Sequence, residues 1–314
     1  MRIKRFGMTV CMAAAVLVLI ATAFTEAATN QGEGQAIVTI LPSKDLKAPA
    51  NFLQQDLQLK VNGKTCSITG WVPLRESNRN LELVILIDDS IRDTLRQQFD
   101  AITLFIQNLP ANVKVALGYM NSGRADLVGP LSTDHTQVAD KLRIPRGFAS
   151  NDGPYFCLSD LAKHWPSKDR LAERETVLIT DGVDSPYGLL NPDDPHLTAA
   201  IADSVRAGLV VHSICWAGWS RRSRAIDEIS DGGLMLNVTQ ATGGGYCCEG
   251  NGEPVSISPC LDQISWRLQN QYRLSFHSGL RDKPEIQRLE LKVGNRAAKV
   301  FAPQQVFVAP PNGK

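Results

Sequence analysis

Leu83-Val84-Ile85-Leu86-Ile87-Asp88-Asp89-Ser90 decides the fold of this chain. A continuous apolar run ending in two acids and a hydroxyl reads as a parallel strand buried on both faces, with its polar groups delivered to the start of the next element. Thr176-Val177-Leu178-Ile179-Thr180-Asp181-Gly182-Val183-Asp184 repeats the pattern. Ligands bind outside the carboxyl ends of strands in open parallel sheets, so the two runs predict that Asp88, Ser90 and Asp181 converge on one edge. The alternative for the same groups is local: a carboxylate or serine at a strand end caps the following helix.

Strands and helices alternate around these runs. Ile91, Leu95, Phe99, Ile102, Phe105, Ile106 and Leu109 recur at helical spacing and give one buried face, which Pro110 ends. Strands are expected at 113–120, 126–131 and 209–215, and helices at 134–142, 155–165, 194–207, 223–229 and 236–241. This order predicts an α/β domain over residues 81–242, a doubly wound, mainly parallel, Rossmann-like sheet. Before it, residues 35–41 and 56–61 alternate apolar and polar side chains, Asn62-Gly63 is a hairpin turn signal, and 64–72 continues as a third strand. After it come a Cys/Gly-rich loop (243–262), a helix at 262–270 and strands at 271–277, 286–293 and 298–301. Antiparallel strands need partners that a parallel core does not provide, so the N-terminal segment (36–78) and C-terminal segment (263–308) are expected to meet as one β-rich module flanking the core.

Residues 1–27 carry Arg2, Lys4 and Arg5, an apolar stretch and small residues up to Ala27, the layout of a secretory signal peptide cut before Ala28. An uncleaved anchor is the alternative, and the chain's one route to a membrane. Cleavage removes three of the 33 basic residues and one of the 32 acidic ones, leaving a near-neutral chain with no footprint for nucleic acid. Export implies a periplasmic or secreted protein. Of the seven cysteines, Cys11 lies in the leader; the other six face an oxidising compartment and do not have zinc-site spacing. Cys260 is expected to pair with Cys247 or Cys248 across the Gly-rich loop, and Cys215 reads as a small buried hydrophobe.

The Asp88-Asp89-Ser90 and Thr180-Asp181-Gly182 strand ends resemble the von Willebrand factor A domain family. In that family an Asp-x-Ser-x-Ser motif and a later Thr-Asp-Gly motif hold a divalent ion that contacts a partner. The resemblance therefore implies Asp88, Ser90 and Asp181 as metal ligands, with Mg²⁺ or Ca²⁺ as the ion. Two departures make the site degenerate. Arg92 stands where the second serine belongs, and the loop at 147–161 offers Ser150, Asn151, Asp152, Gly153 and Pro154 but not the family's threonine. Arg92 would repel an ion while neutralising the same acids. Ala241-Thr242-Gly243-Gly244, with Gln271-Tyr272-Arg273-Leu274 after a helix, is similar over residues 36–308 to a VWFA-related group of exported bacterial proteins, described mainly from acidobacteria. That likeness implies a von Willebrand factor A core wrapped by terminal strands.

Asp89 and Asp184 read as solvated surface acids with only supporting roles, and Asp152 as a loop residue of an Asn-Asp-Gly turn, the alternative being a substitute ligand for the missing threonine. Trp219, in the loop after the strand at 209–215, reads as contact surface for a partner, and Trp216 as packing. Ser90 with His212 and a carboxylate is the one formal hydrolase constellation, but the serine lacks a Gly-x-Ser-x-Gly elbow and His212 lies within an apolar strand. The expected function is non-catalytic binding of a protein or extracellular ligand through Asp88, Ser90, Arg92, Asp181 and Trp219. The alternatives are a structural subunit of an envelope assembly, with the edge inactive, and, third, a serine hydrolase.

Overall fold

The computed structural model describes residues 31–42, 52–75, 78–91, 93–147, 153–182, 194–216, 233–248, 254–279, 283–294 and 298–311. The leader, Arg92, Ser150, Asn151, Asp152, Asp184, Trp219 and the helix expected at 223–229 lie outside them.

The first strand, β1 (Gln31–Pro42), is followed by β2 (Leu57–Val61), β3 (Lys64–Thr65) and β4 (Ser67–Pro73). Between β2 and β3 the chain turns on Asn62 and Gly63, with φ of 48° and 76°. Two successive left-handed residues match the twist of the flanking strands, which is why Asn-Gly is favoured there. The single strand expected at 64–72 divides at Cys66, because its two halves pair with different neighbours, β3 with β2 and β4 with a C-terminal strand.

The central layer is built from β5 (Leu81–Asp88), α1 (Phe99–Gln107), β6 (Lys114–Asn121), β7 (Arg124–Leu127), α2 (His135–Ala139), α3 (Pro154–Lys163), β8 (Glu173–Thr180), α4 (Pro195–Arg206), β9 (Leu209–Cys215), α5 (Gly233–Thr242) and β10 (Tyr246–Cys247). Its strand order is β10-β9-β8-β5-β6-β7, parallel throughout except for the antiparallel edge strand β7. Alternation along β5 explains the unbroken apolar run. Leu81, Leu83, Ile85 and Ile87 face α1 and α2, whereas Val84 and Leu86 face α3, α4 and α5. Helix α1 begins later than its periodicity suggests. Residues Asp93–Gln98 form a 3₁₀ turn, and the buried Gln98 amide bonds the Val255 carbonyl (3.2 Å) and the Ile257 N–H (3.1 Å).

The chain then adds α6 (Ser258–Gln269), β11 (Gln271–Gly279), β12 (Glu285–Val293), β13 (Ala298–Phe301) and β14 (Gln305–Ala309). The last strand was not expected, although Val306 and Val308 alternate inward as a half-buried strand requires. These strands join the N-terminal ones in one antiparallel sheet, ordered β3-β2-β12-β14-β1-β11-β4, with β13 also on β1. Because β3 and β4 are separated only by Cys66 yet end opposite sides of that order, the sheet curls back on itself. Its interior holds Val38, Ile40, Leu59, Leu274, Phe276 and Val308, and Trp71 stacks on Tyr272 at 4.5 Å. The terminal segments thus form a β-rich module beside the α/β core.

A polar cluster ties the two sheets together at the amino end of the core. Glu175 and His212, both 0 % exposed, bond at 2.8 Å, and Arg79 reaches Glu175 at 2.9 Å. Gln271, at the start of β11, bonds both Glu175 (3.2 Å) and Arg79, and Arg273 pairs with Glu173. Burial pushes the Glu175 carboxyl up, but the His212 hydrogen bond and the Arg79 charge outweigh it and hold its pKa below the ordinary glutamate value. Cys247 and Cys260 form a disulfide between β10 and α6, closing a 13-residue separation worth roughly 3 kcal/mol in the chain-entropy view. Among the described residues no helix is long and apolar enough to cross a membrane.

Candidate functional site

In the central sheet, β5 and β8 are parallel neighbours whose following helices leave for opposite faces. Helix α1 packs on the face of Ile85 and Ile87, and α4 on the face of Val84 and Leu86. The carboxyl ends of β5 and β8 therefore meet at a topological switch point, the place at which doubly wound sheets bind ligands. Asp88 ends β5 and Thr180 ends β8, with Asp181 next in the chain.

Asp88 is 1 % exposed. Its Oδ1 accepts hydrogen bonds from the Ser90 N–H (2.9 Å) and the Ser90 hydroxyl (2.6 Å), and its Oδ2 accepts from the Thr180 hydroxyl (2.7 Å). Thr180 Oγ1 in turn accepts from the Gly182 N–H at 3.0 Å, and the Gly182 carbonyl accepts from the buried Tyr155 hydroxyl at 3.0 Å. One chain of bonds thus links the ends of β5 and β8 to the start of α3. Ser90 and Asp181 are half-buried at the rim. The sequence-expected Asp88 and Ser90 are in direct contact and Asp181 shares their edge; Arg92 and Trp219 fall outside the described residues. Thr180 and Tyr155 were not foreseen as participants, although Thr180 stands in the very motif that carries Asp181. Trp216 is buried, the packing role expected of it, and its backbone N–H donates to the Thr180 carbonyl at 2.9 Å.

Asp89 corrects the sequence reading. It is 3 % exposed, not solvated. Arg143 grips it with both terminal nitrogens, at 2.6 and 2.9 Å, and the Arg146 N–H adds a third bond at 2.9 Å. The Arg143 guanidinium also lies 3.7 Å from the centre of the Tyr119 ring, whose hydroxyl bonds the Arg143 N–H and carbonyl at 2.7 and 3.0 Å. Burial pushes the Asp89 carboxyl up, but the Arg143 bonds, the Arg146 N–H and both arginine charges prevail and hold it below the usual aspartate value. This clamp fixes residues 143–147, the start of the loop from which the resembled family draws a further ligand, and the Gly147 N–H closes it onto the Asp89 carbonyl at 2.9 Å.

The Ser90–His212 pairing required of a hydrolase is not formed. His212 Nδ1 accepts the Gly245 N–H at 3.0 Å, so its Nε2 carries the proton donated to Glu175 at the amino end of the sheet. The Ser90 hydroxyl proton goes to Asp88. As for an ion, the edge supplies oxygen donors of the right hardness in Asp88, Ser90 and Asp181. Mg²⁺ asks for an octahedral set and Ca²⁺ for about 6–8 oxygens. The described residues contain no group of three or more metal-binding side chains among His, Cys, Asp and Glu, and Asp88 is drawn inward by three bonds to its own chain.

No protein-family model matches the sequence, and no curated protein matches it. Among solved structures, the chain is similar to an aerotolerance-related membrane protein from Bacteroides fragilis, at 15 % identity over 60 % of this chain and 98 % of the other, with a TM-score of 0.44. BatB from Bacteroides thetaiotaomicron has 13 % identity over 60 % and 98 % of the two chains and a TM-score of 0.43. Proximal thread matrix protein 1 from the mussel byssus, with a zinc-occupied MIDAS motif, has 13 % identity over 67 % and 50 % and a TM-score of 0.43. Likenesses of this size add no argument about mechanism; the strand order and switch point carry the fold.

Proposed function

We propose that this von Willebrand factor A-like domain binds a protein or other extracellular ligand through the carboxyl edge bearing Asp88, Ser90 and Asp181, without catalysing a reaction and without a resident ion. The observation that carries the reading is the Asp88 carboxylate at the switch point, held by Ser90 and Thr180. In the resembled family an ion organises this edge. Here the chain's own hydroxyls and N–H groups do so, and the Arg143–Asp89 clamp fixes the adjoining loop. The half-buried Ser90 and Asp181 at the rim offer a partner a hydroxyl and a carboxylate, which suit a basic or hydrogen-bond-donating surface. The leader-like residues 1–27 support placing this binding outside the cytoplasm, in the periplasm or beyond.

Affinity capture from bacterial envelope extracts, with and without EDTA, tests the reading. The expected result is a partner retained in EDTA and lost in Asp181→Asn. Loss of the partner on EDTA alone would replace this reading with ion-bridged binding. Retention by Asp181→Asn would move the contact elsewhere, to the β-rich module and the role of a structural subunit.

A further inference from the structure

The parallel strands β9 and β10 pair with Tyr246 opposite Ser213 and Cys247 opposite Ile214. Cys248 is the residue that follows β10, and one more step of the same register would set it opposite Cys215, the last residue of β9. Side chains alternate along a strand. Cys247 faces α6, where it is joined to Cys260, so Cys248 turns to the other face, the one on which Tyr246 packs. Register partners on neighbouring strands lie about 4.8 Å apart, within the roughly 4.4–6.8 Å between Cα atoms that a disulfide spans. The Cys215 and Cys248 side chains hydrogen-bond each other, with the Tyr246 hydroxyl bonded to both and Asp181 close enough to act on Cys215 through its charge. Cys215 is buried and Cys248 exposed.

We propose that Cys248 and Cys215 form a thiol–disulfide exchange site for low-molecular-weight disulfides, with Cys248 the surface nucleophile and Cys215 the buried resolving thiol. The Cys248 thiolate attacks one sulfur of a disulfide RSSR. Its S–S bond breaks, a Cys248–SR mixed disulfide forms, and the departing RS⁻ takes up the proton that Cys248 released. Cys215 then gives up its proton and attacks Cys248 Sγ. The Cys215–Cys248 bond forms, and the second RS⁻ leaves and takes that proton. Two protein thiols are oxidised by two electrons, and RSSR is reduced to two RSH.

The order of events follows from the surroundings of Cys215. Its thiol is pushed far up, first by the hydrogen bond with Cys248, then by burial, then by the charge of Cys248. Being buried, Cys215 cannot meet a disulfide from solution before the exposed Cys248 does, so Cys248 attacks first and Cys215 resolves. The product ties the two-residue edge strand β10 to β9 beside Thr180, which is the register partner of Cys215 on the other side.

The test equilibrates the full chain with oxidised glutathione, blocks remaining thiols with a maleimide, and reads intact mass and a non-reducing peptide map. The wild type is expected to gain a Cys215–Cys248 cross-link and keep no glutathione. Cys215→Ser should retain one glutathione on Cys248, and Cys248→Ser should leave Cys215 unmodified. Glutathione retained on wild-type Cys248 with Cys215 still a thiol would overturn the proposal. So would a wild type left unmodified, or Cys248 cross-linked to Cys247 or Cys260 by reshuffling. Should Cys215→Ser not fold, Cys215→Ala provides the same trap, and the wild-type map decides the pairing on its own.

Discussion

The two ends of the central sheet both bury carboxylates, and they hold them in different ways. At the amino end, Glu175 of β8 is gripped by Arg79, His212 and Gln271, from the segment before β5, β9 and β11 respectively. At the carboxyl end, Asp88 is held by Ser90, two residues away, and by Thr180 on the adjacent strand. The first arrangement joins two sheets, so losing one member strands charge in an interior that cannot solvate it. The second closes a turn on itself and leaves Ser90 and Asp181 half-buried at a rim. Cohesion resides at one end of the sheet and the candidate binding edge at the other.

Glu175→Ala should break this contrast most severely. It leaves Arg79 and His212 buried without their acid, and a loss of about 3–5 kcal/mol is expected, read from urea unfolding. A loss near zero would mean the cluster does not hold the sheets together. Gly244→Ala comes next. A methyl group there would sit 1.8 Å from the Val211 carbonyl oxygen of β9, a backbone atom that cannot swing aside. Overpacking of this kind costs about 1–3 kcal/mol, so a thermal midpoint equal to that of the wild type would contradict the close approach of the Gly-rich loop to β9.

Arg143→Ala is the counterpart at the other end. It removes the bidentate partner of Asp89, with an expected cost of about 1–3 kcal/mol at neutral pH. Because the folded pKa of Asp89 is depressed, its contribution is present above the unfolded value of about 3.9 and is lost as pH falls through the folded value. The variant should therefore show a smaller stability change than wild type between neutral pH and acid. Parallel pH profiles would show that Arg143 does not control Asp89. Thr180→Val should have the smallest effect, about 1 kcal/mol for one hydrogen bond to Asp88, and should weaken partner capture more than it weakens folding. The opposite ranking would assign Thr180 to cohesion.

The sequence made the buried strands legible because two-sided burial forces an unbroken apolar run. The strand at 209–215 was read to the residue, and β5 and β8 were read with the acids at their ends. Asp89 was misread because its partner, Arg143, lies 54 residues away and no local pattern announces the pairing. The division of the strand at 64–72 was equally hidden, since only the closing of the curled sheet tells β3 from β4. The disulfide was legible to within one residue. Cys247 and Cys248 are adjacent, and the sequence alone does not say which of them reaches Cys260; the structure gives the bond to Cys247. At the edge, the contact of Asp88 with Ser90 was legible from their spacing, whereas the bonds of Thr180 and Tyr155 needed the register of β5 against β8 and the docking of α3.

Calorimetric titration of Mg²⁺ and of Ca²⁺ into the wild-type chain and into Arg92→Ser tests the central claim most directly, that this edge is organised by its own chain and not by an ion. The expected result is weak or undetectable binding to the wild type and stronger binding to Arg92→Ser, which restores the family's hydroxyl and removes a cation from the motif. Tight, saturable binding to the wild type, unchanged in Arg92→Ser, would contradict it.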